Sequence, residues 1–315
     1  MTITRRNFNL LSAASLGAAL TPSWLPAMAA TDKPFHFAVV SDTHVIDKFY
    51  KPGGENGFED NDSIMKANDR FAAARDTINT IRFADGSVID HVFLPGDVFH
   101  NYPSADYDFY FKNETRIDIA KKLIDGFKAP VHLGFGNHDY DEHGKPGVSI
   151  AMSNKLIKEK LKSDPYSVVD SNGFRFIILN NFLGNTWAPG GDKRLGSLGE
   201  EQLQWLEAQL AARKPTVVFI HYPLYLVAPT EVNDFGLHPL LRKYKDTIQI
   251  VIAGHWHKWV DFAHTFGPQH TVTAATRYDP NAFMVFQADP KKGTIRWVDE
   301  SRAEWSTHYA KPYKA

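Results

Sequence analysis

Asp42-Thr43-His44, Gly96-Asp97, Gly136-Asn137-His138-Asp139, His221 and Gly254-His255-Trp256-His257 are short polar motifs, each closing an apolar run. As groups that could bind metal they offer two carboxylates (Asp42, Asp97), one amide (Asn137) and four imidazoles (His44, His221, His255, His257), with His138 beside the amide. Oxygen and imidazole donors of this kind suit a pair of hard-to-borderline cations. Paired metals a few ångströms apart are a recurring device for breaking phosphate esters. The 315 residues include no cysteine, so disulfides and thiolate ligands are excluded.

Ligands at strand ends sit on rigid elements, while the loops beyond them are free to vary. Asp42 and His44 are two residues apart, as are His255 and His257. In extended backbone each pair would point to one side. Gly96, Gly136 and Gly254 remove side-chain bulk beside the donors and permit sharp turns.

The elements that must carry these motifs alternate. Strands are expected at Phe35–Val40, Val88–Leu94, Ala129–Phe135, Thr216–Ile220 and Ile248–Ala253, each running into a motif. Helical spacing of Ile64, Ala67, Phe71, Ala74 and Ile78 predicts a helix over Ser63–Arg82. Further helices are expected at Thr115–Phe127, Val148–Leu161 and Gly199–Ala212. Tyr166–Val169 and Phe174–Asn180 read as a hairpin around Ser171-Asn172-Gly173. Residues 45–62 and 183–197 read as loops, and Thr271–Ala275, Ala282–Gln287 and Thr294–Val298 as late strands. The alternation predicts an α/β fold, and the late run of strands predicts a second sheet packed on the first. No Pro-, Gly- or Ser-rich linker interrupts the chain, so residues 30–315 are read as a single domain.

Residues 1–29 read as a separate signal. Arg5-Arg6 precedes an Ala-rich apolar stretch, Leu10–Leu20, and Ala27-Met28-Ala29 offers small residues to a signal peptidase. The segment resembles a twin-arginine signal peptide, which implies the twin-arginine export machinery as a partner and a periplasmic or secreted location. The apolar stretch is shorter than the roughly 20 residues of a spanning helix, so no stable membrane anchor is expected after cleavage. Cleavage after Ala29 leaves 33 basic and 36 acidic residues, a net charge of −3, against −1 for the whole chain. Nothing in this balance supplies the basic field that long nucleic acid requires.

The ordered set Asp-x-His, Gly-Asp, Gly-Asn-His-Asp, His, Gly-His-x-His, from residue 42 to residue 257, resembles the calcineurin-like metallophosphoesterase superfamily. Leu198-Gly199 with Gln202-Leu203 and Trp205-Leu206 also resembles a helix common there. The resemblance implies a two-sheet β-sandwich flanked by helices in four layers. It implies that one metal takes Asp42, His44 and His257, a second takes Asn137, His221 and His255, and Asp97 bridges them. His138 would lie over the site as the catalytic group nearest the leaving oxygen. Many relatives carry an Asp at the position of His100, where it orients the residue matching His138. Here His100 and Asp139 are the candidates for an outer supporting role.

The expected cofactors are two divalent or trivalent ions: Fe, Mn or Zn. The expected reaction is in-line attack of a metal-bridging hydroxide on a small phosphomonoester or phosphodiester, with a 3',5'-cyclic nucleotide as a specific alternative. Metal binding can lower the pKa of water from about 15.7 to about 7, on the order of 12 kcal/mol. A side-chain base contributes roughly 3–5 kcal/mol, so the metal-activated nucleophile dominates. The rivals from another class are a non-catalytic metal-binding or scaffold protein on the same fold, and a supplier of metal to others. His36, His91, His132, His264 and His270 are read as structural, and Tyr140, Trp187, Tyr222 and Trp256 as packing residues rather than stacking surfaces for an aromatic substrate.

Overall fold

The computed structural model describes residues 33–51, 61–140, 147–232, 236–298 and 300–305. The segment read as an export signal, residues 1–29, lies outside them, as do residues 52–60 of the first loop.

The described strands are β1 (Phe35–Val40), β2 (His91–Leu94), β3 (Val131–Leu133), β4 (Ser167–Ser171), β5 (Phe174–Ile178), β6 (Thr216–Ile220), β7 (Ile248–Ala253), β8 (Val260–Ala263), β9 (His270–Val272), β10 (Phe283–Asp289) and β11 (Thr294–Trp297). They form a five-stranded sheet, β11-β10-β1-β2-β3, and a six-stranded sheet, β4-β5-β6-β7-β9-β8. Strands β1, β2 and β3 run parallel, as do β5, β6, β7 and β9. Parallel neighbours bring their C-terminal ends to one edge of a sheet, and in open α/β sheets that edge carries the ligands.

Period-two alternation divides each central strand between two cores. Phe35, Phe37 and Val39 of β1 and Phe93 of β2 join Phe174, Phe176, Val217, Phe219 and Ile252 of the other sheet. Phe93 stacks on Phe219 with centroids 4.4 Å apart, which locks the sheets face to face. Ala38, Val40, Val92 and Leu94 point the other way, onto Phe71, Ala74, Ile117 and Ala120 from helices Ala67–Thr80 and Arg116–Asp125. Val218, Ile220 and Val251 pack on Leu206, Leu210, Leu237 and Leu241 from helices Glu200–Leu210 and Leu237–Lys243. The layers are therefore helix, sheet, sheet, helix. Because both faces are covered, all of β1 is buried.

Several elements differ from the sequence expectation. Strand β2 begins at His91 rather than Val88, because pairing with β1 begins at Phe37–His91 and Val88 is exposed. The helix expected over Ser63–Arg82 is two helices, Asn61–Ile64 and Ala67–Thr80, broken where Lys66 N–H turns back to the carbonyl of Ser63. The late strands do not make the second sheet by themselves. Strands β8 and β9 extend it, while β10 returns antiparallel to β1 and completes the first. Helix Leu237–Lys243 and edge strand β8 are too short for a periodicity signal to single out. The hairpin turn falls as expected, with φ +46° at Asn172 and +84° at Gly173.

Candidate metal centre

Every candidate donor follows the C-terminal end of a strand. Asp42 and His44 follow β1, Asp97 follows β2, and Asn137, His138 and Asp139 open a 3-10 turn after β3. His221 follows β6, and His255 and His257 follow β7. The backbone there is not extended, contrary to the simple alternation argument. Asp42 (+54°), His44 (+46°), Asp97 (+50°), His255 (+70°) and His257 (+57°) all have left-handed φ. Such backbone costs on the order of 1–2 kcal/mol per non-glycine residue and persists only where neighbours hold it. Asp42 N–H donates to Gly96 O (3.1 Å), His44 N–H to Asp97 O (2.9 Å) and Arg277 N–H to Asp42 O (3.1 Å).

These turns bring the donors together. Single ligand atoms of Asp42, His44, Asp97 and His257 lie within 4.8 Å of one another, and so do those of Asp97, His221 and His255. Asp97 belongs to both groups, with Oδ2 3.4 Å from His44 Nε2 and 3.2 Å from His221 Nε2. His257 Nε2 lies 3.1 Å from His44 Nε2 and 3.2 Å from Asp42 Oδ1. Asn137 Oδ1 faces His221 Nε2 and His255 Nδ1, each at 3.0 Å. The glycines are needed for this approach. A Cβ at Gly136 would overlap Asp97 Oδ1, and one at Gly96 would overlap the ring of His221.

The outer residues take different parts. Asp139 does not hold the ring of His138. Its carboxylate accepts from the N–H groups of Val98 (3.1 Å), Phe99 (3.0 Å) and Gly136 (2.8 Å), tying the loop after β2 to the loop after β3. The ring of His138 instead meets Asn101, whose Oδ1 is 2.8 Å from Nδ1. His100 stacks on His138 with centroids 4.6 Å apart and bonds to His44, Nδ1 to Nδ1, at 3.1 Å. Asn101 was not singled out by sequence reasoning. An Asn closing a Gly-Asp turn, a residue that tolerates left-handed φ, is the signal that could have found it. Tyr140, Trp187 and Tyr222 are buried, as packing residues should be, whereas Trp256 is only partly buried. Among the histidines read as structural, His36, His91, His132 and His270 are hydrogen-bonded away from the centre, and His264 is exposed.

Electrostatics holds Asp42, His44 and His255 in the forms that bind metal. Burial opposes ionisation of Asp42, but the His257 ring and other neighbours hold its carboxyl down at about 2. Burial first, and then His221, lowers His255 to about 3, while burial and His138 keep His44 well below the ordinary imidazole value. His221 is the exception: burial works against its proton, yet the Asp97 carboxylate wins and raises it to about 9. Burial and then the Asp97 charge push Asp139 up to about 8.

The donor set fits cations. Two imidazole Nε2 atoms at 3.1 Å and an amide oxygen between two ring nitrogens present converging lone pairs. Among the described residues, buried Asp42 Oδ2 has no hydrogen-bond partner. A cation answers both conditions, since it takes lone pairs from all sides and compensates buried carboxylate charge.

A sequence model described as "Metallophos: Calcineurin-like phosphoesterase" matches residues 35–259. The chain is 23% identical over 240 residues to a protein of Arcobacter nitrofigilis named "Probable glycerophosphodiester phosphodiesterase", covering 70% of this chain and 78% of that one. It is 26% identical over 236 residues to a "Probable cyclic nucleotide phosphodiesterase" of Rhodococcus erythropolis, covering 71% of this chain and 66% of that one. In fold it is similar to a dimetal phosphatase from Danio rerio, with a TM-score of 0.57 at 16% identity, over 84% of this chain and 95% of the other.

Proposed function

The chain belongs to the calcineurin-like phosphoesterase family, and from that premise we propose that it is an exported hydrolase of small phosphoesters working with two bound metal ions. Asp42, His44 and His257 would hold one ion, Asn137, His221 and His255 the other, and Asp97 both. The observation that carries this reading is the Asp97 carboxylate, shared by the two donor groups with Oδ2 3.4 Å from His44 and 3.2 Å from His221. Bound there, Zn, Mn or Fe ions would supply Lewis acidity that activates a water for in-line attack on phosphorus and takes up charge on the phosphoryl oxygens.

His138 does the proton work in this reading. Its backbone N–H donates to Asp97 Oδ1 at 3.0 Å, which ties the residue to the shared carboxylate. Its ring abuts that of His44, with centroids 4.8 Å apart, and stays partly exposed, so a substrate can reach it. From there it hands a proton to the departing alcohol oxygen. Diesters are the substrates of first choice, because two similar proteins carry phosphodiesterase names. A chain with net charge −1 favours small substrates over long nucleic acid.

Export rests on Arg5-Arg6, the apolar Leu10–Leu20 stretch and Ala27-Met28-Ala29, which would engage the twin-arginine machinery. Among the described residues no helix is long and apolar enough to cross a membrane. Replacing Arg5 and Arg6 together by Lys should leave uncleaved precursor in the cytoplasm. Normal export of that variant would remove the twin-arginine route.

The deciding experiment loads the protein separately with Zn, Mn and Fe. It then assays an aryl monophosphate, a bis-aryl phosphate, a glycerophosphodiester and 3',5'-cyclic nucleotides. Hydrolysis should require metal and vanish in Asp97→Ala along with bound metal. Full metal content and full activity in Asp97→Ala would overturn the shared-carboxylate assignment.

A further inference from the structure

Two adjacent side chains in the turn after β2 reach two different imidazoles of the centre. His100 Nδ1 lies 3.1 Å from His44 Nδ1, and Asn101 Oδ1 lies 2.8 Å from His138 Nδ1. We propose that His100 and Asn101 act as a positioning pair: His100 fixes the ring of His44, and Asn101 fixes the ring of His138, so that each ring presents its Nε2 to the reaction space. This rests on the metal-dependent reading given above.

Hydrogen-bond chemistry decides the ring forms. An amide oxygen only accepts, so the 2.8 Å contact is a hydrogen bond only when His138 carries hydrogen on Nδ1. The neutral ring then has a bare Nε2; to act as the acid it takes up a second proton there, and it is the Nε2–H of that imidazolium that breaks toward the leaving oxygen while Nδ1–H stays on Asn101. For His44, Nε2 is the nitrogen that faces Asp97 Oδ2 (3.4 Å) and His257 Nε2 (3.1 Å). A ring that offers Nε2 as a lone pair carries its hydrogen on Nδ1, and His100 Nδ1 is placed to accept it. Partners of this kind hold a ligand ring in orientation and raise its basicity.

The turn is built to hold the pair. His100 is 0% exposed and Asn101 2%, so water does not compete for these bonds. Asn101 has φ +56°, which aims its side chain back toward β3. Arg116 Nη1 donates to the carbonyl oxygens of His100 and Asn101. Arg116 is itself fixed by Asp47, with Nε–Oδ2 at 3.2 Å and Nη2–Oδ1 at 3.0 Å, and both side chains are 0% exposed. His100 also stacks on His138 at an interplanar angle of 23°, so the two rings form one packed unit.

The test uses the full chain as isolated, with Asn101→Gly, Asn101→Asp and His100→Ala. Glycine tolerates the left-handed backbone while removing the acceptor, and aspartate restores it. In the metal-free wild type, long-range proton–nitrogen spectra of the histidine rings should show His138 as the Nδ1–H form. Asn101→Asp should retain that form and Asn101→Gly should lose it. With Zn bound, Asn101→Gly should lower kcat about 10–100-fold for esters with alkyl leaving groups, spare aryl esters and leave KM unchanged, and Asn101→Asp should recover. His100→Ala should weaken one Zn site about 10–100-fold in a binding titration, as loss of an outer partner does. The pair is overturned by an Nε2–H form of His138 in the wild type, by equal losses on alkyl and aryl esters, or by wild-type Zn affinity in His100→Ala. A wild type that binds Zn but cleaves no ester would instead overturn the proposed function, and the ring forms and Zn titration would still decide the pair. The wild-type spectrum needs no variant, so a variant that fails to fold does not remove the test.

Discussion

Asp42 Oδ1 accepts a hydrogen bond from the backbone N–H of His255 at 2.9 Å, across 213 residues of sequence. The same oxygen lies 3.2 Å from His257 Nε2, so the first and last motifs meet in one carboxylate. The contact is possible because residue 254 has no Cβ, which would overlap Asp42 Oδ2 and Ser41 Oγ.

Gly254→Ala is therefore expected to push Asp42 out of the donor set. It should lower the content of one metal and destabilise the fold by about 1–3 kcal/mol, the usual cost of overpacking. Gly173→Ala is the control: φ is +84° but nothing lies within 4 Å, so it should show only the cost of left-handed backbone and keep its metal. Metal analysis with urea denaturation checks both, and unchanged metal content in Gly254→Ala would contradict the role given to this glycine.

The metal-free protein should lose stability as pH rises from about 7.5 to about 9. His221 keeps its proton in the fold up to about 9 because the Asp97 carboxylate outweighs burial, whereas the unfolded ring loses it near 6.5. Asp139, raised to about 8 by burial and Asp97, is already ionised in the unfolded chain over this range. The folded state thus binds more protons, and stability falls with rising pH. Asp42, held near 2, keeps the same form in both states, and His255, held near 3, and His44, held low, are neutral in the fold and above about pH 7.5 are neutral in the unfolded chain as well, so they add little there. Melting curves at pH 7.5 and pH 9 decide, and a higher melting temperature at pH 9 would refute the sign.

Adding Zn or Mn to the metal-free protein should raise the melting temperature in a concentration-dependent way. Binding at about 100 times Kd is worth roughly 2.7 kcal/mol. The gain should be larger at pH 8 than at pH 6, since His221 must give up its proton to become a ligand. Calorimetry over a series of metal concentrations at each pH measures both effects, and a pH-independent gain would remove His221 from the ligand set.

Arg116→Met should destabilise the protein by about 3–5 kcal/mol, because it leaves Asp47 as a buried charge without its partner. Replacing Asp47 and Arg116 together by apolar residues should cost less than the single change. Denaturant titration of the single and double variants reads the difference. Equal losses in the two would show that the pair does not act as a unit.

Much of the scaffold was legible because burial leaves a local mark. Strands β1, β6 and β7 fall on the expected residues, since strands covered on both faces read as unbroken apolar runs. Thr115 and Asp118 mark the start of helix Arg116–Asp125 by a capping contact, Thr115 N–H to Asp118 Oδ2 at 2.9 Å. Pairing was not legible. Nothing near Phe283 announces that β10 lies beside β1 while β9 lies beside β7, because partner choice depends on residues far away in sequence.

The same boundary runs through the site. Donor chemistry belongs to single side chains, so the sequence by itself determined which carboxylates, amide and imidazoles stand at strand ends. Parallel pairing and left-handed turns decided that Asp97 is shared between two donor groups, that Asp139 braces backbone rather than His138, and that Asn101 takes that ring instead. Contacts such as Asn101–His138 and Asp42–His255 span 37 and 213 residues of chain, and they are set by strand pairing within a sheet and by packing between the two sheets.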